Sequence, residues 1–396
     1  MAHDLRVTLN VHDVNLCPPL ASVADVLGAG RHARVELLPR FAGPASAVSS
    51  VPIGPVAGSW RPNDWADDPS IRRFAVNLCK LAGAYYFPRY GVLVDRDGNA
   101  PRAPMAQATY ATPDLRSLPG MRYVDDTLFF SPPDDLETLS DAVVTMPWGA
   151  RSNYGHFVCD CLTTVAALRD HAQFRDAVYV FPPLKPWHQE HLGLLGLEPH
   201  EVPGDVYYME QAFFTNCMDT FLNAPNVVIR HLAQLELSAA GCASAWDGPQ
   251  PGRKLWISRG HEKRRFLSQD AIESALVARD FEIVTPETLS VVDQIRLFAS
   301  ASLVVAPTGA AFANLIYCAP GTAIVELIPE GIPAAWVRNL CLLGSCRWAP
   351  YFCPVVSRTP VQVADGARVR PELGVEFDVD HADFLRHVDR VTALAP

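Results

Sequence analysis

Three short stretches of this 396-residue chain hold side chains whose types and spacing suit chemistry. The first is Asn153-Tyr154-Gly155-His156-Phe157-Val158-Cys159-Asp160. On a helix, His156 and Asp160 share a face. A carboxylate beside an imidazole fixes its tautomer, which suits a general base that takes a proton from a hydroxyl. A purely structural His–Asp pair is the plainer alternative. His156, Cys159 and Cys161 do not make a metal site, because alternate positions on a helix do not face one another and no paired ligand set follows.

The second stretch is Ser258-Arg259-Gly260-His261-Glu262-Lys263-Arg264-Arg265, directly after an apolar strand candidate. Its four cationic side chains could neutralise a diphosphate or form a solvated basic loop. The third is the strand-to-helix junction Val304-Val305-Ala306-Pro307-Thr308-Gly309-Ala310-Ala311. In an open parallel sheet, ligands bind at the carboxyl ends of strands, where small residues let the amides at a helix start approach an anion. Gly309 and Ala310 would supply that approach and Thr308 a hydroxyl donor; the same residues would also make a tight turn packing helix on sheet. Glu326, ending the next strand, would lie at the same edge, accepting hydrogen bonds from ribose hydroxyls or capping a loop amide.

Two Asp-x-Asp strings are better explained as local structure than as a cation site. Asp95-Arg96-Asp97 runs into Gly98-Asn99, a turn, and Asp378-Val379-Asp380 precedes a helix that it can cap. No metal or cofactor is expected. Neither a phosphate-cradling Gly-x-x-x-x-Gly-Lys loop, a dinucleotide glycine fingerprint nor a Gly-x-Ser-x-Gly elbow occurs where it would carry meaning.

The elements that must position these residues are clearest in the second half. Lys254–Ser258, Phe281–Val284, Leu303–Ala306 and Ala323–Ile328 read as strands. Helices read from Ser268 (Ile272, Ala275, Leu276), from Ser290 with Asp293, and over Ala310–Tyr317. Strands alternating with short helices imply an α/β, Rossmann-like domain with a parallel sheet. A last helix carries Phe384, Val388 and Val391 on one face.

The first half is less regular. Residues 40–70 and 131–147 read as connections, Tyr90–Val94 as a strand before a hairpin turn at Asp97-Gly98, and Ala177–Phe181 as a strand. From Asn153 the pattern is helical, with Phe157, Cys161, Val165 and Leu168 forming one stripe. The small, polar stretch 238–253 reads as a linker, dividing the chain into domains 1–237 and 254–396.

Composition narrows the class. Apolar residues make up 49% and charged residues 19%, which excludes a disordered chain, a coiled coil and a disulfide-stapled miniprotein. With 33 basic and 43 acidic residues the net charge is -10, the wrong sign for a nucleic-acid-binding surface. No membrane segment is expected: Pro307, Gly309, Pro320 and Gly321 break the most apolar stretch, Ser302–Ile328. Ten cysteines are too few for a disulfide framework and suggest a reducing cytoplasm.

Taken in order, the three clusters resemble glycosyltransferase family 61. The matching pieces are Asn153-Tyr154-Gly155-His156-Phe157 with Asp160; Leu255-Trp256-Ile257-Ser258-Arg259 with Arg264-Arg265; Pro286-Glu287-Thr288-Leu289-Ser290 leading to Gln294; and Gly309-Ala310, Asn314 and Val325-Glu326-Leu327-Ile328-Pro329. The resemblance implies a GT-B-like fold, two Rossmann-like domains facing across a cleft. It also implies an inverting, metal-independent transfer from a nucleotide-sugar, often a UDP-sugar, to a glycan or polysaccharide.

In that scheme the first domain is the acceptor side, with Asn153 and Tyr154 near the acceptor and His156, oriented by Asp160, as the base. The second holds the donor through Arg259, Arg264, Arg265, Thr308, Gly309, Ala310, Asn314 and Glu326, and the last helix is expected to pack back on the first domain. Two positions depart from the family pattern: Thr308 stands where a His is usual, and Leu267-Ser268-Gln269 follows the double Arg where an Asn is common. A catalytically inactive sugar-nucleotide-binding or scaffold protein is therefore the alternative. With no anchor visible, the resemblance points to a soluble, bacterial-type enzyme of polysaccharide biosynthesis in the cytoplasm, at most peripheral to the inner membrane. The oligomeric state is left open.

Overall fold

A computed structural model of the chain describes residues 5–11, 21–30, 32–37, 57–58, 76–104, 120–124, 127–219, 228–247, 252–259, 264–332, 335–362 and 369–394. The protein is mixed α/β and parts into two compact units between Leu232 and Ala233, within the helix Val228–Ala239. The stretch 238–253, expected as a linker, holds the end of that helix, the 3-10 turn Ala243–Trp246 and the first residue of a strand.

The strands up to that point are β1 (Leu5–Val11), β2 (Ala33–Glu36), β3 (Ala57–Gly58), β4 (Asn77–Phe87), β5 (Val92–Asp95), β6 (Asn99–Pro101), β7 (Met121–Val124), β8 (Thr127–Phe130), β9 (Thr138–Val144), β10 (Val178–Phe181), β11 (His200–Glu201) and β12 (Tyr207–Thr215). In the first unit the large sheet runs β11-β10-β9-β12-β4-β2, with β5 on β4, and a smaller sheet runs β6-β1-β8-β7. The strands β11, β10, β9 and β12 are parallel, and β4 is antiparallel to β12.

Counted along the chain, the parallel strands stand in the order 3-2-1-4, so the winding reverses between β9 and β12. Segments leaving the carboxyl end of β9 therefore start at a topological switch point, where open α/β sheets bind ligands. The strand β9 lies inside 131–147, read above as connection. Only its last three residues, Ala142–Val144, are buried, and its polar first half hides the strand.

Two further expectations in this half change. The hairpin is β4–β5, closed at residues 88–91. The turn at Asp95–Asn99 instead carries the chain from β5 in one sheet to β6 in the other. The helical stretch from Tyr154 is α over Tyr154–His156, π over Phe157–Cys161 and α again over Leu162–Arg169. Every residue from Phe157 to Leu168 is buried, so this helix is enclosed on all sides. Its buried hydroxyls are satisfied internally: Thr163 Oγ1 donates to Cys159 O at 2.8 Å, and Thr164 pairs with Thr215 at 2.8 Å.

The second unit holds β13 (Arg253–Ile257), β14 (Arg264–Phe266), β15 (Phe281–Val284), β16 (Ala301–Pro307), β17 (Ala323–Pro329), β18 (Arg347–Cys353), β19 (Val355–Gln362) and β20 (Val369–Phe377). Its main sheet runs β15-β13-β16-β17-β18-β3, parallel throughout. The strand β3 comes from the stretch 40–70, read above as connection; the rest of that stretch lies outside the described residues. Without β3 the order is 2-1-3-4-5, with the switch point between β13 and β16.

Ser290 caps the helix Val291–Ala299 by accepting from Asp293 N at 3.1 Å, as its sequence suggests. Ser268 stands at the N-cap of Gln269–Val277 without a side-chain capping bond. The closing helix His381–Thr392, expected to return to the first domain, buries Phe384, Val388 and Val391 with Trp256, Val325 and Tyr351 in the second unit's own core.

Candidate active site

At the switch point of the first unit, β9 leads through the turn Trp148–Arg151 into the helix that carries His156. Asn153 caps that helix, its Oδ1 accepting from His156 N at 3.3 Å. His156 Nδ1 lies 2.7 Å from Asp160 Oδ2; the carboxylate is fully buried and the imidazole is 14% exposed. An ionised carboxylate only accepts, so the proton sits on Nδ1 and the basic lone pair on Nε2. Tyr154 packs against Trp187 with ring centroids 5.5 Å apart and the ring planes tilted by 51°.

At the switch point of the second unit, Arg259 follows β13 and Thr308-Gly309 follows β16. Each strand is prolonged by one backbone bond, Ser258 N to Val284 O at 2.7 Å and Thr308 N to Leu327 O at 2.9 Å. The Arg259 guanidinium bridges the crevice, donating through Nη1 to Thr308 O. It lies so close over Gly309 that a Cβ there would stand 3.0 Å from Nη1, and this close approach is what the glycine allows. Ala310, partly exposed, opens the 3-10 helix Ala310–Tyr317, which has the bounds the sequence suggests but tighter winding.

Arg264 starts β14 and shares this electrostatic environment. Burial and the like charge of Arg264 hold Arg259 below the usual guanidinium range, partly offset by Glu287. Burial lowers Arg264 as well, with Glu326 opposing. Among the described residues neither guanidinium forms an ion pair, whereas Arg253, Arg265 and Arg279 pair with Glu282, Glu376 and Asp389. Arg264 Nε is buried with no hydrogen-bond partner among them.

Arg265, the neighbour of Arg264 on a strand, points to the opposite face and forms an exposed pair with Glu376 at 3.2 Å. Gly260, His261, Glu262 and Lys263 lie outside the described residues.

Glu326 sits within β17 and is fully buried, with Oε2 accepting from Trp348 Nε1 at 2.9 Å. Burial raises its pKa to about 8 against the opposing effects of Thr308, Trp348 and Arg264. Thr308 Oγ1 and Glu326 Oε1 are both buried without a well-formed hydrogen bond to a described residue. Asn314 is turned inward, donating to Gln294 Oε1 at 3.0 Å, and ties two helices together.

His32, Asp95 and Asp97 cluster in the first unit, with candidate ligand atoms within 4.8 Å of one another. Asp95, however, is saturated: it accepts from the amides of Asp97 at 2.9 Å and Asn99 at 2.7 Å, from Asn99 Nδ2 at 3.0 Å, and faces His32 Nε2 at 3.1 Å. These bonds fix the turn. Asp380 caps the last helix by accepting from Asp383 N at 2.8 Å.

The family model of Glycosyltransferase 61 matches residues 154–325. This stretch, less than half of the chain, is similar to glycosyltransferase family 61. It begins two residues before His156 and ends one residue before Glu326, so it contains His156, Asp160, Arg259, Arg264 and Gly309. No curated protein matches the chain. Among the described residues, no helix is long and apolar enough to cross a membrane.

Three residues of these edges were not legible as such. Glu287 follows β15, and only its place after a strand marks it. Trp187 and Trp348 carry no local signal, since their roles depend on which strands stand side by side.

Proposed function

We propose that this chain is an inverting glycosyltransferase of family 61 that moves a sugar from a nucleotide-sugar, a UDP-sugar by family resemblance, to a glycan hydroxyl. The observation that carries the reading is the pair Arg259 and Arg264, two cations without an ion-pair partner among the described residues at the switch point of a parallel sheet. Such a pair suits a diphosphate, and Thr308 and the amides after Gly309 would add donors.

In the reaction, His156 Nε2 takes the proton of the acceptor hydroxyl while Asp160 holds the ring. The acceptor oxygen bonds to the anomeric carbon from the face opposite the leaving group. The bond from that carbon to the phosphate oxygen breaks, and its electron pair leaves with the diphosphate. Arg259 and Arg264 then carry charge that a divalent ion would otherwise meet, which supports a metal-independent route. The reading requires both edges to meet one donor, in the GT-B-like manner that the resemblance implies. Glu326 contributes through Arg264, and Arg265 and Asn314 through the framework. Nine described cysteines are free thiols.

A thermal-shift screen across UDP-, GDP- and CMP-sugars, followed by donor-hydrolysis and transfer assays, tests this. Stabilisation by one nucleotide with turnover is expected. Stabilisation without turnover would favour a non-catalytic binding protein, and no stabilisation by any would remove the donor site.

A further inference from the structure

The carboxyl edge of the first unit's parallel strands holds a second feature beside the His–Asp pair. The strand β10, neighbour of β9, ends at Phe181 and is followed by Pro182-Pro183-Leu184-Lys185 and the helix Pro186–Leu194. Trp187, in the first turn of that helix, is partly exposed. Its ring lies 5.5 Å from Tyr154 and 5.2 Å, edge-on, from Phe157. It therefore packs on the face formed by positions 154 and 157 of the helix that carries His156.

This tryptophan is held in place. The buried His188 next to it accepts from Lys185 N at 3.0 Å through Nδ1 and faces Ala150 O at 3.3 Å through Nε2, so it ties the loop after β10 to the turn after β9. Burial drives the His188 pKa down to about 3, so this clamp is neutral and fixed as the Nε2–H tautomer.

Two tryptophans of the second unit are used differently. Trp256 and Trp348 are buried, each donating its indole N–H to a carboxylate, Glu273 and Glu326, at 2.9 Å. Among the described residues Trp187 makes no such bond. An aromatic ring that is fixed, partly open, and has an indole N–H not spent on a described residue offers an apolar surface and a donor to a ligand. The apolar C–H face of a pyranose, ringed by hydroxyls, is complementary to it.

We infer that Trp187, backed by Tyr154 and Phe157 and clamped by His188, is the platform on which a pyranose ring of the acceptor stacks at the sheet edge that carries His156. The inference rests on the glycosyltransferase reading above and names the acceptor's chemistry.

The test uses saturation-transfer NMR on the full chain with methyl α- and β-pyranosides of glucose, galactose, mannose and xylose. In the unmodified protein at least one should receive saturation, strongest at its ring C–H protons. Trp187→Leu, which keeps apolar volume without an aromatic face, should lose the signal, and Trp187→Phe should retain most of it. Equal melting temperatures of the two variants would guard against misfolding. Saturation unchanged in Trp187→Leu, or absent for every pyranoside in the unmodified protein, would overturn the platform. Stabilisation by UDP is measured in parallel. Its absence in the unmodified protein counts against the donor site alone, and its survival in Trp187→Leu alongside lost pyranoside binding is the expected pattern.

Discussion

The two units set their polar residues at the same kind of place, the switch point of a parallel sheet, but treat charge in opposite ways. In the first, the ionisable His156 has its partner, Asp160, 2.7 Å away on its own helix. In the second, Arg259 and Arg264 crowd one another; Glu287 only partly offsets Arg259, and Glu326, which acts on Arg264, is itself pushed towards neutrality by burial. A half-buried cation without a counter-ion costs free energy that an arriving anion would offset. Under the proposed function the compensated edge moves a proton and the uncompensated edge receives an anion.

The largest effect expected from breaking this contrast is at the compensated edge. His156→Ala should lower transfer by ~10²–10⁴-fold, the usual worth of a general base. Nucleotide affinity, measured by calorimetry, should stay unchanged. Full turnover in this variant would end the base assignment.

Next comes the uncompensated edge. Arg259→Ala or Arg264→Ala should weaken UDP binding by about tenfold to a hundredfold, since a hydrogen bond to a charged group contributes ~1.5–3 kcal/mol. Arg265→Ala, which removes only an exposed pair with Glu376, should stay within about threefold. Equal losses at all three positions would dissolve the distinction between the two faces of β14.

The smallest effect sharpens the electrostatics beneath the arginines. The folded-state pKa of Glu326, about 8, lies above its ordinary 4.5. In that window the native state holds a proton that the unfolded chain has released, so the stabilising contribution is complete below 4.5 and lost as pH rises to about 8. The slope is at most ~1.4 kcal/mol per pH unit. Glu326→Gln, neutral throughout, should flatten the fall in melting temperature between pH 5 and 8 (roughly that window) relative to the unmodified protein. Parallel curves would show that Glu326 ionises freely.

Legibility in the sequence followed burial. Strands of the second unit, such as Phe281–Val284, are short apolar segments bounded by turns, and periodicity finds them. The central strand β9 is half polar, and β3 is two residues in a proline- and glycine-rich stretch, so neither has a periodic signal to find. The helix at Phe157–Leu168 shows a stripe in its spacing, yet its small and hydroxylated residues are buried too, because Thr163 and Thr164 find partners that spacing does not reveal.

By itself the sequence determined the pairing of His156 with Asp160, since four residues of helical spacing bring them together whatever surrounds them. It also determined the cations at 259 and 264–265 and the small residues at 309–310 that let a backbone approach an anion. Only the tertiary structure decided which cations act together. Strand alternation sends Arg265 outward and Arg264 inward, and the 2-1-3-4-5 strand order brings Arg259 onto Gly309. It also decided that Glu326 is buried and that Trp187 packs on the helix that carries His156. Those placements depend on which strands are neighbours, and neighbours in a sheet are chosen by long-range burial that local spacing does not encode.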